Sequence, residues 1–296
     1  MIVTAIINGR TAGADDGTVS VFDRGFLYGD SVFEVFRSYG GETPTAEAHL
    51  ARLAASAELV RMAAPEPELL RQEVARAIAE ARRDGDAGDV MVRVVVTRGG
   101  GMELAIDEDA DPGTRVVMAL PLRLPSRERY RSGIDALVAS ATRTTDGTDA
   151  VGAKVSNYLR ALLLLDDAKR RGAHEVLLVD ERGSVKEGAT SNVFAWQGDR
   201  LVTPPTSGIL VGITRGHVLA AARGLGLAVA EERLTRDALA GAREVFITSS
   251  LREVMPVASI DGQPVGDGAP GEMTRRLHRE LRNRIAPRMG GVMPWE

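Results

Sequence analysis

The 296-residue chain has no cysteine, which removes disulfides, thiolate metal sites and a cysteine nucleophile together and fits a reducing cytoplasm. Histidine is nearly as scarce. His49, His174, His217 and His278 stand far apart without ligand-like spacing, so no metal centre is expected. Long apolar runs are missing too: the longest near the middle, Leu162 to Leu165, falls far short of the ~20 residues a bilayer requires. The opening MIVTAIINGR reaches Asn8-Gly9 too early for the apolar region of a signal peptide. No basic block stands out. A formal net charge of −4 comes from interleaved acids and bases, which argues against nucleic acid as a partner. Absent as well are a Walker-type glycine loop, a GxGxxG after a strand, and a GxSxG serine elbow. A soluble protein without membrane or nucleic-acid partners is expected.

What is present is an ordinary globular balance, 44% apolar and 26% charged. At ~100–200 residues per domain the chain makes two domains or one large one. Ile2 to Ile7 followed by Asn8-Gly9 reads as a strand and hairpin turn. Ser31 to Tyr39 is suited to a strand, and apolar residues return at helical spacing over His49 to Met62 and Glu66 to Asp84. Val90 to Thr97 and Arg115 to Leu122 read as strands around Gly99-Gly100-Gly101. Residues 1–120 thus form a small α+β domain. Pro121 to Gly133 reads as a linker, and 134–296 as a larger domain. There, strands are expected at Asp135 to Ser140, Glu175 to Asp180, Asn192 to Trp196, Arg200 to Thr203 and Val245 to Thr248. A helix is expected from about Asn157 to Arg171, and another opens at Thr214.

Four local features carry chemistry. Lys154, in GAKVSNYLRALLLL, precedes a largely apolar helix. A lysine acts as a covalent catalyst once its amine is deprotonated, which desolvation promotes, but a lone lysine before a helix is more often surface decoration. In VKEGATSN, Glu187 can salt-bridge a pyridinium nitrogen and keep the ring an electron sink, or be a solvated turn residue. In GILVGITR, glycines and a helix start at Thr214 offer backbone N–H groups to an anion, or Thr214 serves only as the N-cap. Thr248-Ser249-Ser250 ends a strand with hydroxyls and amides that can hold phosphate or carboxylate, as many strand ends do.

In order, these segments resemble the fold-type IV pyridoxal-phosphate enzymes, the group of branched-chain aminotransferases, D-amino-acid transaminases and aminodeoxychorismate lyases. The likeness begins at FDRGFLYGDSVFEVFRSY (Phe22 to Tyr39), runs through AHLARL (Ala48 to Leu53) and reaches PVASIDG near Pro256, nearly the whole chain. It implies a two-domain α+β fold: a small N-terminal α/β domain, a larger C-terminal domain with a mixed, barrel-like sheet, and pyridoxal 5'-phosphate at the domain junction. It also implies roles. Lys154 would bind the cofactor covalently and then shuttle a proton. Glu187 would pair with the pyridine nitrogen. Arg52 would bind the phosphate with Ile213 and Thr214, helped by Ser250. Leu210 would pack on the ring, and Thr190, Asn192, Gly212 and Ser249 would complete the cofactor contacts. Tyr158 would reach the phenolic oxygen, although in branched-chain enzymes the tyrosine usually falls one residue later.

On the substrate side, Phe33, Arg37, Arg98, Ser250 and Leu251 are implied. Arg98, in TRGGG, resembles the carboxylate-binding arginine of D-amino-acid transaminases, but Gly100 stands where those enzymes have histidine and Phe33 where they have tyrosine. Arg37, in VFRSY, is similar to the branched-chain pattern and serves as a second carboxylate contact or a structural ion pair. The implied reaction is ping-pong transfer of an amino group between a D- or branched-chain α-amino acid and an α-keto acid. A lyase releasing pyruvate from aminodeoxychorismate is the alternative, since ITSSLREVMPV (Ile247 to Val257) is also lyase-like. A non-catalytic binding protein is a further alternative, set against Lys154, which a mere binder does not need. The family implies a homodimer, with a loop around Gly100 to Asp111 contributed across the interface.

Overall fold

The computed structural model describes residues 4–83, 88–103, 105–106, 113–140, 150, 152–289 and 293–296. Two compact units emerge, Met1–Arg123 with Thr148–Tyr158, and Leu124–Gly147 with Leu159–Glu296.

The first unit opens with β1 (Thr4–Ile7) and β2 (Arg10–Ala12), joined through Asn8 and Gly9 at φ of 47° and 80°. Both positive values are what a two-residue type I′ hairpin demands. Then come α1 (Arg24–Tyr28), β3 (Ser31–Arg37), α2 (Ala46–Leu59), α3 (Pro67–Ala81), β4 (Val90–Thr97) and β5 (Arg115–Pro121). The strands form one antiparallel sheet in the order β2-β1-β5-β4-β3. Alternation sends Val90, Val92, Val94 and Val96 to one face, where they pack under Leu50 and Leu53 of α2 and Leu70 and Val74 of α3. Arg93, out of step with those valines, is on the opposite face with Phe33.

β3 is an edge strand, and residues 154–156 return to cover part of it. Val155 bridges Val32, the Phe33 N–H donates to the Lys154 carbonyl (2.9 Å), and the Ser156 N–H donates to that of Ser31 (3.0 Å). These ladder bonds fix the lysine's backbone and blunt an exposed edge. They are also why this stretch groups with the first unit rather than with its sequence neighbours.

The second unit comprises α4 (Arg127–Ser132), β6 (Ile134–Ser140), α5 (Leu159–Arg170), β7 (Glu175–Val179), β8 (Ser184–Gly188), β9 (Asn192–Gln197), β10 (Arg200–Thr203), α6 (Ile213–Gly224), β11 (Ala228–Glu231), β12 (Leu234–Thr235), α7 (Arg236–Ala240), β13 (Glu244–Ser249), β14 (Glu253–Ile260), β15 (Gln263–Pro264) and α8 (Glu272–Ile285). Its mixed sheet runs β11-β10-β9-β13-β14-β6-β7-β8-β12, with β15 on β14. Although β8 and β9 lie far apart in that order, a bridge from Gly188 to Ser191 brings them together. Apolar residues from both halves of the sheet, among them Leu177, Val185, Val193, Val202 and Leu234, share one core cluster. The sheet is therefore curled around its own interior.

Several expectations need correction. The segment 121–133, expected as a linker, contains α4, capped by Ser126 and anchored by Tyr130, which is 1% exposed within the second unit's core. Glu187, expected between a turn and a strand, stands inside β8, in register with Leu178 of β7. Thr214 is not an N-cap: α6 starts at Ile213, with Gly212 in the capping position and no side-chain cap. The expected start of the first strand at Ile2, the end of the second helix at Asp84 and part of the loop around Gly100 to Asp111 (104 and 107–111) lie outside the described residues. Among the described residues no helix is long and apolar enough to cross a membrane.

Candidate functional site

In the first unit the expected lysine is the centre of a small cluster. Lys154 Nζ donates to the Tyr158 hydroxyl at 3.0 Å and stands 4.3 Å from the Phe33 ring centroid. Phe33 meets Tyr158 edge-on at 5.1 Å. The amide of Lys154 donates to Ser56 Oγ of α2 at 3.1 Å. The amine is thus held among aromatic faces rather than projecting from the surface, so the surface-decoration reading of Lys154 does not describe it. Tyr158, one residue early against the branched-chain pattern, reaches the amine nonetheless.

Arg93 was not singled out from the sequence. Its guanidinium lies 4.2 Å over the other partner of the lysine, the Phe33 ring. It has no hydrogen bond or ion pair among the described residues, and burial lowers its pKa against a smaller opposing pull from Tyr158. A half-buried, unpaired arginine on the ring that the amine also contacts is set up to receive an anion. The available signal was one cation inside VMVRVVVT, which in sequence is indistinguishable from an arginine on a solvated strand face.

Arg52 points to Glu34 of β3, with Nε and Nη2 donating to its two carboxylate oxygens at 2.6 and 2.7 Å. His49 Nδ1 lies 2.6 Å from the same carboxylate, which is fully buried. Burial would raise the Glu34 pKa, but the hydrogen bonds from Arg52 and then His49 hold it below the ordinary value. Burial lowers the His49 pKa despite Glu34, and the positive charges of Arg52 and Lys154 push the same way.

Arg98 and Arg37 are engaged elsewhere. Arg98 donates from Nε and Nη2 to Asp30 (2.8 and 3.2 Å), from Nη2 to the Val60 carbonyl (2.8 Å) and from Nη1 to that of Arg61 (2.6 Å). With four donor contacts made, it ties down the turn before β3; the carboxylate-trap role read from TRGGG is not supported by its position. Arg37, 5% exposed, pairs with Asp89 at 3.3 Å and lies over the Tyr39 ring. That matches the structural-ion-pair alternative.

In the second unit, Glu187, Asn192, Leu210 and Gly212 come together. The Leu210 N–H donates to Glu187 Oε2 at 3.2 Å, and Asn192 Nδ2 donates to the Leu210 carbonyl at 2.9 Å. Glu187 is 3% exposed, so it is no solvated turn residue. A Cβ on Gly212 would overlap Asn192 Oδ1, so only glycine permits this approach. Beyond it the first-turn amides of Ile213 and Thr214 have no acceptor among the described residues, leaving the positive end of α6 open to an anion. Thr190 and Ser249 are linked through Arg252: its Nη2 donates to Thr190 Oγ1 at 2.8 Å and its Nε to Ser249 Oγ at 3.1 Å. Ser250 and Leu251 are half-buried in the same turn.

Taken separately, the first unit offers a secluded amine, and the second a buried carboxylate and an uncapped, glycine-gated helix start; these are the kinds of group that the aldehyde, the ring nitrogen and the phosphate of a phosphorylated pyridine aldehyde each need. Comparison with known proteins agrees. The model of the amino-transferase class IV family matches residues 31–260. The D-alanine aminotransferase of Bacillus licheniformis is 34% identical over 283 residues, covering 95% of this chain and 96% of that one. The crystal structure of the Escherichia coli branched-chain amino acid aminotransferase superposes with a TM-score of 0.87 at 30% identity, covering 100% of this chain and 98% of that one. The branched-chain enzyme of T.th., solved with pyridoxamine 5'-phosphate, gives 0.85 at 31% identity, with 97% and 95% covered. The protein is a pyridoxal-phosphate-dependent transaminase, working on amino acid and keto acid substrates. It belongs to the class IV aminotransferases, with their mixed, curled-sheet fold. These matches do not favour the lyase.

Proposed function

We propose that the protein transfers the amino group of a branched-chain α-amino acid to an α-keto acid, with Lys154 as its catalytic residue. The carrying observation is the Lys154 amine, 3.0 Å from the Tyr158 hydroxyl and 4.3 Å from the centroid of the Phe33 ring, which the unpaired Arg93 also contacts. Bound pyridoxal phosphate supplies an aldehyde for amine exchange and a ring that accepts the electrons of the broken Cα–H bond. Lys154 would hold the cofactor, and its Nζ, oriented by Tyr158, would take the Cα proton of the substrate and later return it. Glu187 keeps the pyridine nitrogen protonated. Arg52, Ile213 and Thr214 hold the phosphate, helped by Ser249 and Ser250, while Thr190, Asn192, Leu210 and Gly212 shape the cofactor's surroundings.

Arg93 takes a substrate carboxylate and the Phe33 ring lines the side-chain space. The D-amino-acid alternative relied on Arg98, whose donors are engaged by Asp30 and two carbonyls, so the branched-chain reading is preferred. The likeness to the branched-chain enzymes supports the same choice. We also propose a homodimer in the cytoplasm. The exposed Phe22, Phe26 and Met102 of the first unit and Leu159, Leu162 and Leu163 of the second suit subunit contact, and the lack of cysteine suits a reducing compartment.

The test is a donor screen followed by visible absorbance. L-Leucine or L-valine is expected to bleach the yellow enzyme and a keto acid to restore it. If D-alanine alone does so, the stereochemical assignment is wrong. Lys154→Ala is expected to lower kcat by roughly a thousandfold or more, in the range of a lost acid–base group. Turnover equal to the wild type would exclude the proposed role.

A further inference from the structure

Glu175 and Arg252 belong to no role assigned above, yet they connect two turns to which cofactor contacts of the second unit are assigned. Glu175 opens β7 and is completely buried. Its Oε1 accepts from the Val176 N–H at 3.0 Å. Its Oε2 accepts from Thr190 Oγ1 and Ser191 Oγ, each at 3.0 Å, and from Arg252 Nη2 at 2.8 Å. Arg252 also donates from Nη2 to Thr190 Oγ1 (2.8 Å) and to the Thr190 carbonyl (3.2 Å), and from Nε to Ser249 Oγ (3.1 Å). One buried carboxylate and one arginine therefore bind the β8–β9 turn to the β13–β14 turn.

The geometry is tight. A Cβ on Gly188 would overlap Ser191 Oγ and sit 3.2 Å from the Glu175 carboxyl carbon, so the first turn is pressed against this carboxylate. Glu187 directly precedes that turn and Asn192 directly follows it, while Asn192 is paired in register with Thr248, next to Ser249. A shift of either turn would move the carboxylate assigned to the pyridine nitrogen relative to the hydroxyls assigned to the phosphate. A buried carboxylate costs free energy unless its oxygens are satisfied, and here four donors satisfy it. A surface-turn fastener needs no such burial.

We propose that Glu175 and Arg252 are positioning residues that hold the two cofactor-binding turns in register, acting on pyridoxal phosphate through Thr190, Ser191 and Ser249 without touching it. This rests on the functional reading above. Glu175→Gln keeps the shape and removes the charge; Arg252→Gln removes the fork at a less buried position. Both are measured for pyridoxal 5'-phosphate affinity by fluorescence quenching, for the visible band of the loaded enzyme, for kcat and KM, and for thermal unfolding without cofactor. The expected result is cofactor affinity weakened about tenfold to a hundredfold, the size of a lost hydrogen bond to a charged group. The visible band of the saturated enzyme is expected to shift, and the double variant to lose less than the sum of the singles.

Affinity and band at wild-type values in a folded variant would overturn the proposal, as would a loss confined to the cofactor-free thermal midpoint. A rise in KM for the amino donor with cofactor affinity intact would also overturn it, because Arg252 would then contact substrate. If Glu175→Gln does not fold, Arg252→Gln decides alone by the same readouts. Failure of the wild-type protein to bind pyridoxal phosphate would instead remove the functional reading, so the two failures are distinguishable.

Discussion

Arg93 lies within β4 and Arg98 just past its end, yet the structure uses the two arginines differently. Arg98 pairs with Asp30 and closes two carbonyls, and Asp30 in turn has its pKa lowered: burial opposes this, but the hydrogen bonds from Arg98 and Arg24 outweigh it. Arg98→Met is expected to destabilise the protein by about 1–3 kcal/mol, because two carbonyls lose their donor and Asp30 keeps only Arg24. Arg93 gains no such compensation. Arg93→Met is expected to leave the urea midpoint unchanged or raised, while increasing KM for the substrate by ~10-fold or more through loss of a charge-assisted contact. Equilibrium unfolding and steady-state kinetics on the same two variants check both outcomes. A large stability loss in Arg93→Met would mean that the residue serves the fold. Neither role was readable from the sequence: TRGGG gave Arg98 the look of a carboxylate trap, and the alternation of VMVRVVVT hid Arg93, because which strand face carries an amine depends on a segment much later in the chain.

At the level of the element, α2 presents His49 and Arg52 to a single carboxylate on β3. The fold lowers the His49 pKa from its ordinary 6.5, so the folded state prefers the neutral ring. Stability from this group is therefore present above pH 6.5 and is lost as pH falls below that value, when the unfolded chain takes up a proton that the folded chain resists. Glu34, with a pKa below its ordinary 4.5, adds stability above that value and loses it as pH falls further. His49→Gln is expected to flatten the stability profile just below pH 6.5 while leaving the loss below 4.5 in place, as read by urea unfolding across pH. A second element, the start of α6, depends on Gly212. Gly212→Ala would drive a methyl into Asn192 Oδ1, and at overpacking costs of ~1–3 kcal/mol the start of the helix is expected to move. Cofactor affinity is expected to drop tenfold or more, as measured by fluorescence quenching. Unchanged affinity would mean the helix start is not the phosphate site. GILVGITR revealed this helix in sequence; the reason for its second glycine, a side chain on β9, did not appear there.

For the whole molecule, the exposed apolar residues are the feature that a monomer would not favour. Phe26 is 71% exposed and Leu162 61%. Phe26→Asp and Leu162→Asp are expected to turn a dimer into a monomer in sedimentation or light scattering, with reduced turnover. A wild-type monomer that is fully active would remove the dimer reading.

Local pattern alone determined the hairpin at Asn8-Gly9, the alternating β4, the apolar faces of α2 and α3, and the ordered motifs around Lys154, Glu187 and Gly212. Each rests on neighbours in the chain, through φ preferences, side-chain period or spacing. Tertiary structure decided the rest. It brought residues 154–156 back to the edge of β3, placed Glu187 inside a strand despite a turn-like sequence, and gave Arg98 to the fold while leaving Arg93 unpaired. A cation or carboxylate has no fixed meaning until the groups that meet it are known, and those come from distant parts of the chain.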